Sequence, residues 1–331
     1  MPIAIILLII VALIFDFWNG LHDSSNVVAT MISTHAMPPR AALVLAAIAN
    51  GAGPFLFGVA VAKTIGSEVI SAEAMTLGVV LAALLGAIAW NIITWAFGIP
   101  SSSSHALIGG LLGAAVVGYG FAAVELAGLT KILLALLISP PLGMLVGFMT
   151  VRLLRWGTQG ATPDVNTWFR RGQIVASTSL ALAHGTNDAQ KTMGIITMGL
   201  LVTGVITTFE VPMWVIAASA TAMACGTLFG GWKLIRTLGS GFYKVQPIHG
   251  LGAQAASSTV ILSAALLGGP VSTTQVVSSA IVGAGSAERA RMVRWNVFKS
   301  VFVAWLITIP LAGLVSGGVY ILLFQIFGLK V

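Results

Sequence analysis

Asp23 and Asp188 each lie in the middle of a long apolar segment. A carboxylate at the centre of a bilayer costs at least about 2.5–3.5 kcal/mol on insertion scales, so each needs a cavity or a partner. Their surroundings match. Asn19-Gly-Leu-His-Asp-Ser-Ser-Asn26 answers to His184-Gly-Thr-Asn-Asp-Ala-Gln-Lys191, pairing Gly20 with Gly185 and Asp23 with Asp188. A second pair follows, Pro100-Ser-Ser-Ser-Ser-His105 and Pro270-Val-Ser-Thr-Thr-Gln275. Asp23 precedes Ser103 by 80 residues and Asp188 precedes Thr273 by 85, so the two motifs recur in the same order at near-equal spacing. This is an internal repeat.

The two motif types suit opposite charges. Carboxylates and amides (Asp23, Asn26, Asp188, Asn187) can hold a small cation, and Asp23 and Asp188 are candidate Na⁺ ligands. The hydroxyl runs Ser101–Ser104 and Ser272–Thr274 each follow a proline, as at a helix start. There, free N–H groups and the positive end of the dipole favour an anion. Ser102, Ser103, Ser104, Ser272, Thr273 and Thr274, with Lys191 and Gln190, are the candidate anion ligands. Blander roles stand beside these. Asp188 and Lys191 have the i,i+3 spacing of a structural ion pair, and Ser or Thr can bond back to the preceding turn or pack small at a helix interface.

His22 and His105 are candidates for proton relay or polar support. The repeat substitutes the amides Asn187 and Gln275, which favours support. Asn91 and Asn50 are lone amides in apolar helices, and no histidine has metal-ligand spacing to a second His or Cys. The single cysteine, Cys225, reads as core filler.

The elements that hold these residues follow from charge. Sixteen Lys and Arg and nine Asp and Glu make up 8% of 331 residues, against roughly a quarter in a soluble domain. Neutral runs such as 74–124 and 245–287 exceed the ~20 residues that cross a ~30 Å hydrocarbon core as helix. They lack the alternation of a membrane barrel. A soluble globule is excluded, and the net charge of +7 marks topology rather than nucleic-acid binding. The run Pro2–Phe15 leads straight into Asp16 without a cleavage site and is kept as part of the fold.

Helices are predicted over 3–34, 41–63, 74–98, 101–120, 128–152, 172–208, 211–235, 247–268, 271–286 and 293–327. If each crosses once, Arg40, Arg152, Arg155, Arg170, Arg171, Lys233, Arg236, Lys244, Arg289, Arg291, Arg294 and Lys299 share one side, and Lys63, Lys131 and Lys330 the other. That bias places the central loop in the cytoplasm and both termini outside. The expected architecture is all-α and polytopic. An odd five segments per half makes the repeats inverted: 1–152, a short basic loop 153–171, and 172–331. Gly20 and Gly185 are expected to break their helices beside the motifs, and half-helices of about 15 Å are expected from Ser101 to Gly110. Asp16 is an intramembrane charge with no assigned role.

The motifs carry a resemblance. Asn19–Asn26 with Val27-Val-Ala-Thr30, Ala183–Lys191, Trp90-Asn91, Phe97–His105, Leu238-Gly-Ser-Gly and Pro270–Thr274 resemble the signatures of the inorganic phosphate transporter (PiT) family, particularly bacterial low-affinity permeases. The resemblance covers nearly the whole chain. It implies a secondary transporter of a cell (inner or plasma) membrane that imports phosphate with Na⁺ or H⁺, without a cofactor, as a homodimer. It implies a site among Asp23, Asn26, Asp188, Lys191 and the hydroxyls of 102–104 and 272–274. Gln275 stands where the family has His. Other tetrahedral oxyanions such as sulfate fit the same donors. A hydrolase built on Ser104 and His105 fits poorly, because adjacent helical residues point ~100° apart.

Overall fold

The computed structural model describes residues 3–67 and 69–327, apart from the Ser67 side chain. Lys330 lies outside them. The described chain is helical, with a single β-bridge, Ile70 to Val124. The helices are α1 (Ile3–Ser33), α2 (Pro39–Leu56), α3 (Ala60–Ser67), α4 (Leu77–Phe97), α5 (Ser103–Tyr119), α6 (Leu126–Gly157), α7 (Val165–Val202), α8 (Met213–Phe229), α9 (Trp232–Arg236), α10 (Pro247–Leu266), α11 (Thr273–Glu288) and α12 (Trp295–Tyr320). Five of them, α1, α2, α4, α6 and α12 with its π-helical extension, are long and apolar enough to cross a membrane.

Local chemistry sets the ends. Thr76 caps α4 by accepting from the Val79 N–H, and Gly98 closes it in the left-handed region (φ 67°). Gly268 (φ 70°) does the same after α10. Each glycine leads through a proline, Pro100 or Pro270, into a Ser N-cap: Ser102 accepts from the His105 N–H at 3.2 Å and Ser272 from the Gln275 N–H at 3.3 Å. The hairpins α4–α5 and α10–α11 therefore turn on the same chemistry, and both turns are buried from the proline to the Ser cap.

The repeat extends to the packing. A methyl added at Gly20 would overlap the Met223 carbonyl, and one at Gly185 the Asn50 carbonyl. Gly226 meets the Phe17 carbonyl as Gly53 meets that of Leu182, and Gly113 meets Gly313 as Gly283 meets Met144. Thus α1 against α8 repeats as α7 against α2, and α5 against α12 as α11 against α6.

The paired helices α5 and α11 run apart. Trp305, midway along α12, donates its indole N–H to the Pro100 carbonyl at the start of α5 (3.0 Å). The start of α12 folds back on the short link that follows α11 (Trp295 Nε1 to the Ala290 carbonyl, 2.9 Å), and its end, Tyr320, lies against Gly118 at the end of α5. With α12 spanning about 39 Å, α5 and α11 diverge from a common midpoint toward opposite faces, as inverted repeats require.

Several expectations are corrected. Gly20 and Gly185 do not interrupt their helices, since α1 and α7 run unbroken through them. Their missing side chains serve backbone-to-backbone approach instead. The breaks lie elsewhere: at Gly58 (φ 79°), which splits the expected 41–63 segment into α2 and α3, and at Gly230 (φ 71°), where α8 and the α9 segment meet at a 65° bend. The expected 15 Å half-helices continue past Gly110 to Tyr119 and, in the second half, to Glu288. Between α6 and α7 the non-helical link is only 158–164, because Arg152, Arg155, Arg170 and Arg171 extend the helices beyond their apolar portions. Cys225 is exposed on α8 rather than in the core.

Candidate functional site

The centres of α1 and α7 meet the starts of α5 and α11, and the polar residues interlock. Asp23 accepts from Ser103 of its own half through Oδ2 (3.0 Å), and from Thr274 of the other half through Oδ1 (3.0 Å). Asp188 accepts from Thr273 through Oδ2 (2.9 Å) and pairs with the Lys191 ammonium through Oδ1. The crossing is reciprocal. The Asn26 amide donates to Thr274 Oγ1 (3.0 Å), and Lys191, its counterpart, donates to Ser104 Oγ (2.6 Å). His22 Nδ1 sits 2.8 Å from Asp23 Oδ1. Asn187, the counterpart of His22, lies 3.2 Å from both Asp188 Oδ1 and the Val271 carbonyl, two acceptors that orient its amide nitrogen toward them.

All these side chains are at most 2% exposed. The arrangement is closed to both faces. Asp23, Asp188 and His184 each offer a ligand atom within 4.8 Å of the others, a grouping that can hold a cation. Beside it lie the first turns of α5 and α11, whose opening N–H groups have no carbonyl partner within their own helices, together with the hydroxyls of Ser103, Ser104, Thr273 and Thr274, a combination suited to an anion. Two carboxylates and one ammonium leave this centre with one net negative charge, so an anion enters on favourable terms only when a cation is present.

Not every candidate joins this centre. Gln190 is committed elsewhere: its Oε1 accepts from the N–H groups of Val61 (2.7 Å) and Ala62 (3.2 Å), and its Nε2 donates to the Gly58 carbonyl (2.6 Å). It caps α3 across the helix break. His105 and Gln275 pair with each other at 3.4 Å, one turn along from the hydroxyls, bordering an apolar cavity of about 430 Å³ between α6 and α12. Asn91 is buried with its amide unpaired. The Lys191–Asp188 ion pair is present, but Lys191 also reaches the other half.

Sequence reasoning missed a supporting layer. His184 Nε2 lies 3.1 Å from Asp188 Oδ2, while its Nδ1 lies 3.1 Å from Asn50 Oδ1. The Asn50 amide donates in turn to Thr227 (3.0 Å). The i,i+4 spacing of His184 and Asp188 was a legible signal; Asn50 is brought in only by the α2–α7 packing. On the other side, Thr94 lies 3.4 Å from His22 Nε2 and accepts from Ser101 (3.0 Å).

Ser104 and His105 are not set against each other as nucleophile and base. Ser104 donates to the Val271 carbonyl (3.3 Å) and accepts from Lys191, while His105 faces Gln275. A helical membrane fold with a closed polar centre that carries one net negative charge and is shared by two repeats fits a carrier of small ions.

Comparison with known proteins agrees. The pattern of the phosphate transporter family matches residues 19–164 and again 158–316, one match per half. A protein of Bacillus subtilis (strain 168) described as "Probable low-affinity inorganic phosphate transporter" is 44% identical over 326 residues, covering 97% of this chain and 98% of the relative. One of the same description from Rhizobium meliloti (strain 1021) is 45% identical over 315 residues, covering 95% and 94%. Among solved structures, one described as the sodium-dependent phosphate transporter has the same fold, with a TM-score of 0.87 at 24% identity over 98% of this chain and 99% of that one. The chain belongs to the phosphate transporter family.

Proposed function

We propose that the protein imports inorganic phosphate across the cell membrane by symport with a cation, Na⁺ or H⁺, alternating access around the centre shared by its two halves. Phosphate is held by the hydroxyls and helix-start amides of Ser102, Ser103, Ser104, Ser272, Thr273 and Thr274, with Lys191 donating from α7. The cation is held by Asp23 and Asp188 with Asn26 and Asn187. The observation that carries this reading is the reciprocal interlock of Asp23 with Ser103 and Thr274, and of Asp188 and Lys191 with Thr273 and Ser104.

Phosphate near neutral pH carries between one and two negative charges. Without cations, it would meet a centre already negative and already closed by its own hydrogen bonds. A cation on the carboxylates offsets their charge and competes for the oxygens that now accept from Ser103, Thr273 and Thr274, freeing those hydroxyls to donate to phosphate. Each ligand thereby raises the affinity for the other, and by linkage the effect is mutual. The basic residues of the α6–α7 link and of the 233–244 and 289–299 segments support a cytoplasmic placement of that face, with both termini outside. The chain works as a homodimer in this reading.

The test is phosphate uptake into proteoliposomes with a Na⁺ gradient or a pH gradient imposed separately, with sulfate as competitor. Asp23→Asn is expected to abolish concentrative uptake while remaining monodisperse in detergent. Gradient-driven accumulation by that variant would refute the proposal.

A further inference from the structure

Between α6 and the stretch of chain entering α12 lies a groove with an apolar wall and a basic rim. It encloses about 470 Å³ and is lined by Pro141, Leu145 and Phe148 of α6, Ser286 of α11, and Ala290 and Trp295 where α12 begins. The three α6 residues span about 10 Å of helix. Leu145 is half-exposed, so the groove opens outward from the bundle. It stands apart from the polar centre, since Ser286 lies about 18 Å beyond Thr274 along α11.

The rim is built from arginines that the protein itself leaves unpaired. The Arg152 guanidinium sits 5.5 Å over the ring of Phe148, which forms part of the wall. Arg289 and Arg291 flank Ala290, and all three arginines are exposed. Their neighbours are committed: Arg155 reaches Glu288 (3.4 Å), and Arg294 donates to the Gly241 carbonyl (3.4 Å). Among the described residues no carboxylate pairs with Arg152, Arg289 or Arg291. Ser286 adds a buried hydroxyl without a partner, and Trp295 an indole of the kind that sits at a membrane–water interface. A general bias of basic residues toward one face would place arginines anywhere in these links, not stacked on a groove wall. Nor does the fold require them. In the register that matches 139–142 with 308–311, the second half sets Gly317 against Phe148 and Ile321 against Arg152.

We propose that this groove is a binding site for one anionic glycerophospholipid, drawn from the leaflet at the arginine-rich face. Its acyl chains lie along Pro141, Leu145 and Phe148, its phosphate meets Arg152, Arg289 and Arg291, and Ser286 donates to an ester oxygen. Basic pockets between membrane helices select such headgroups. A zwitterionic lipid fills the apolar wall equally well but leaves the rim positive. A second copy of this chain fits the rim poorly, because a two-fold contact sets the same arginines against each other. The seat has a mechanical meaning as well. Gly283 and Met144, whose backbones touch, also line the groove, so the lipid braces the α6–α11 joint from outside. The site is independent of the cation-coupled reading above.

The test is native mass spectrometry of the purified full-length protein, delipidated in detergent and titrated with phosphatidylglycerol or phosphatidylcholine of identical chains. The wild type should retain one phosphatidylglycerol per chain under conditions that strip phosphatidylcholine. An arginine beside an anionic headgroup contributes about fivefold in binding, so Arg152→Gln combined with Arg291→Gln should weaken phosphatidylglycerol about 25-fold and leave phosphatidylcholine unchanged. Both positions are exposed, so this variant is expected to fold. Arg171→Gln removes an arginine stacked on Trp168, outside the groove, and should change nothing. Leu145→Trp fills the groove while keeping every charge, and should abolish the preference. Equal retention of the two lipids by the wild type would overturn the site. So would comparable weakening by Arg171→Gln, which would make the attraction a property of the whole basic face. Displacement of the lipid by soluble glycerol 3-phosphate would overturn it in favour of a free anion. A Leu145→Trp protein that loses its dimer with its phosphatidylglycerol count unchanged would overturn it in favour of a second copy.

Discussion

Replacing Lys191 with Gln separates a phosphate ligand from a structural ion pair. Its ammonium donates 2.6 Å to Ser104 and pairs with Asp188, at the position where the first half uses Asn26 to reach Thr274. A hydrogen bond involving a charged group contributes about 1.5–3 kcal/mol. If Lys191 also donates to bound phosphate, its loss raises the phosphate KM by about 10–150-fold. The substitution also strands Asp188, and breaking a buried pair costs about 3–5 kcal/mol, so the melting temperature should fall. The two effects divide when the coupling cation is raised. A second cation beside Asp188 can replace a lost countercharge, but it cannot replace a lost donor to phosphate. The assay is initial uptake in proteoliposomes over a matrix of phosphate and cation concentrations. The expected result is a KM that stays at least tenfold high at saturating cation. A KM that returns to within about twofold of the wild type there would refute a phosphate contact and leave Lys191 as the partner of Asp188 alone.

Ser103→Ala and Thr273→Val remove equivalent donors, at 3.0 and 2.9 Å, to Asp23 and Asp188. Each should shift half-saturation for cation or phosphate by about tenfold or more, and a near-normal phenotype in one of the two would break the symmetry argument. Gln190→Ala should lower the melting temperature, since it removes three hydrogen bonds worth about 0.5–1.5 kcal/mol each at the start of α3, while leaving the phosphate KM near normal. A large rise in KM without loss of stability would place Gln190 back among the ligands.

The spacing of Asp23 to Ser103 and of Asp188 to Thr273 proved to be the spacing of two direct contacts, because a repeat preserves the relative placement of its motifs. The crossed contacts, Asp23 to Thr274 and Lys191 to Ser104, were beyond any one-dimensional pattern. They depend on how the two halves dock. Glycine was the main source of error. The same residue opens a left-handed turn at Gly98 and Gly230, and permits close helix approach at Gly20 and Gly185. Hydropathy does not separate these uses; what distinguishes them is whether a neighbouring backbone lies against the missing side chain. Gln190 was misplaced by proximity to Asp188 and Lys191, since adjacent helical residues face different neighbours.

The glycine contacts also act on motion. Where Gly113 rests on Gly313, Gly283 on Met144, Gly20 on Met223 and Gly185 on Asn50, two backbones touch with no side chain between them to flex. Such joints behave as welds, and they bind α5 to α12, α11 to α6, α1 to α8 and α7 to α2. The contacts between α1 or α7 and the starts of α5 or α11 are of another kind, made from side-chain hydrogen bonds that the transported ions themselves can replace. The compliant plane of the molecule and the proposed binding site are therefore the same surface, and in the proposed mechanism loading the site alters the joint along which the welded pairs part.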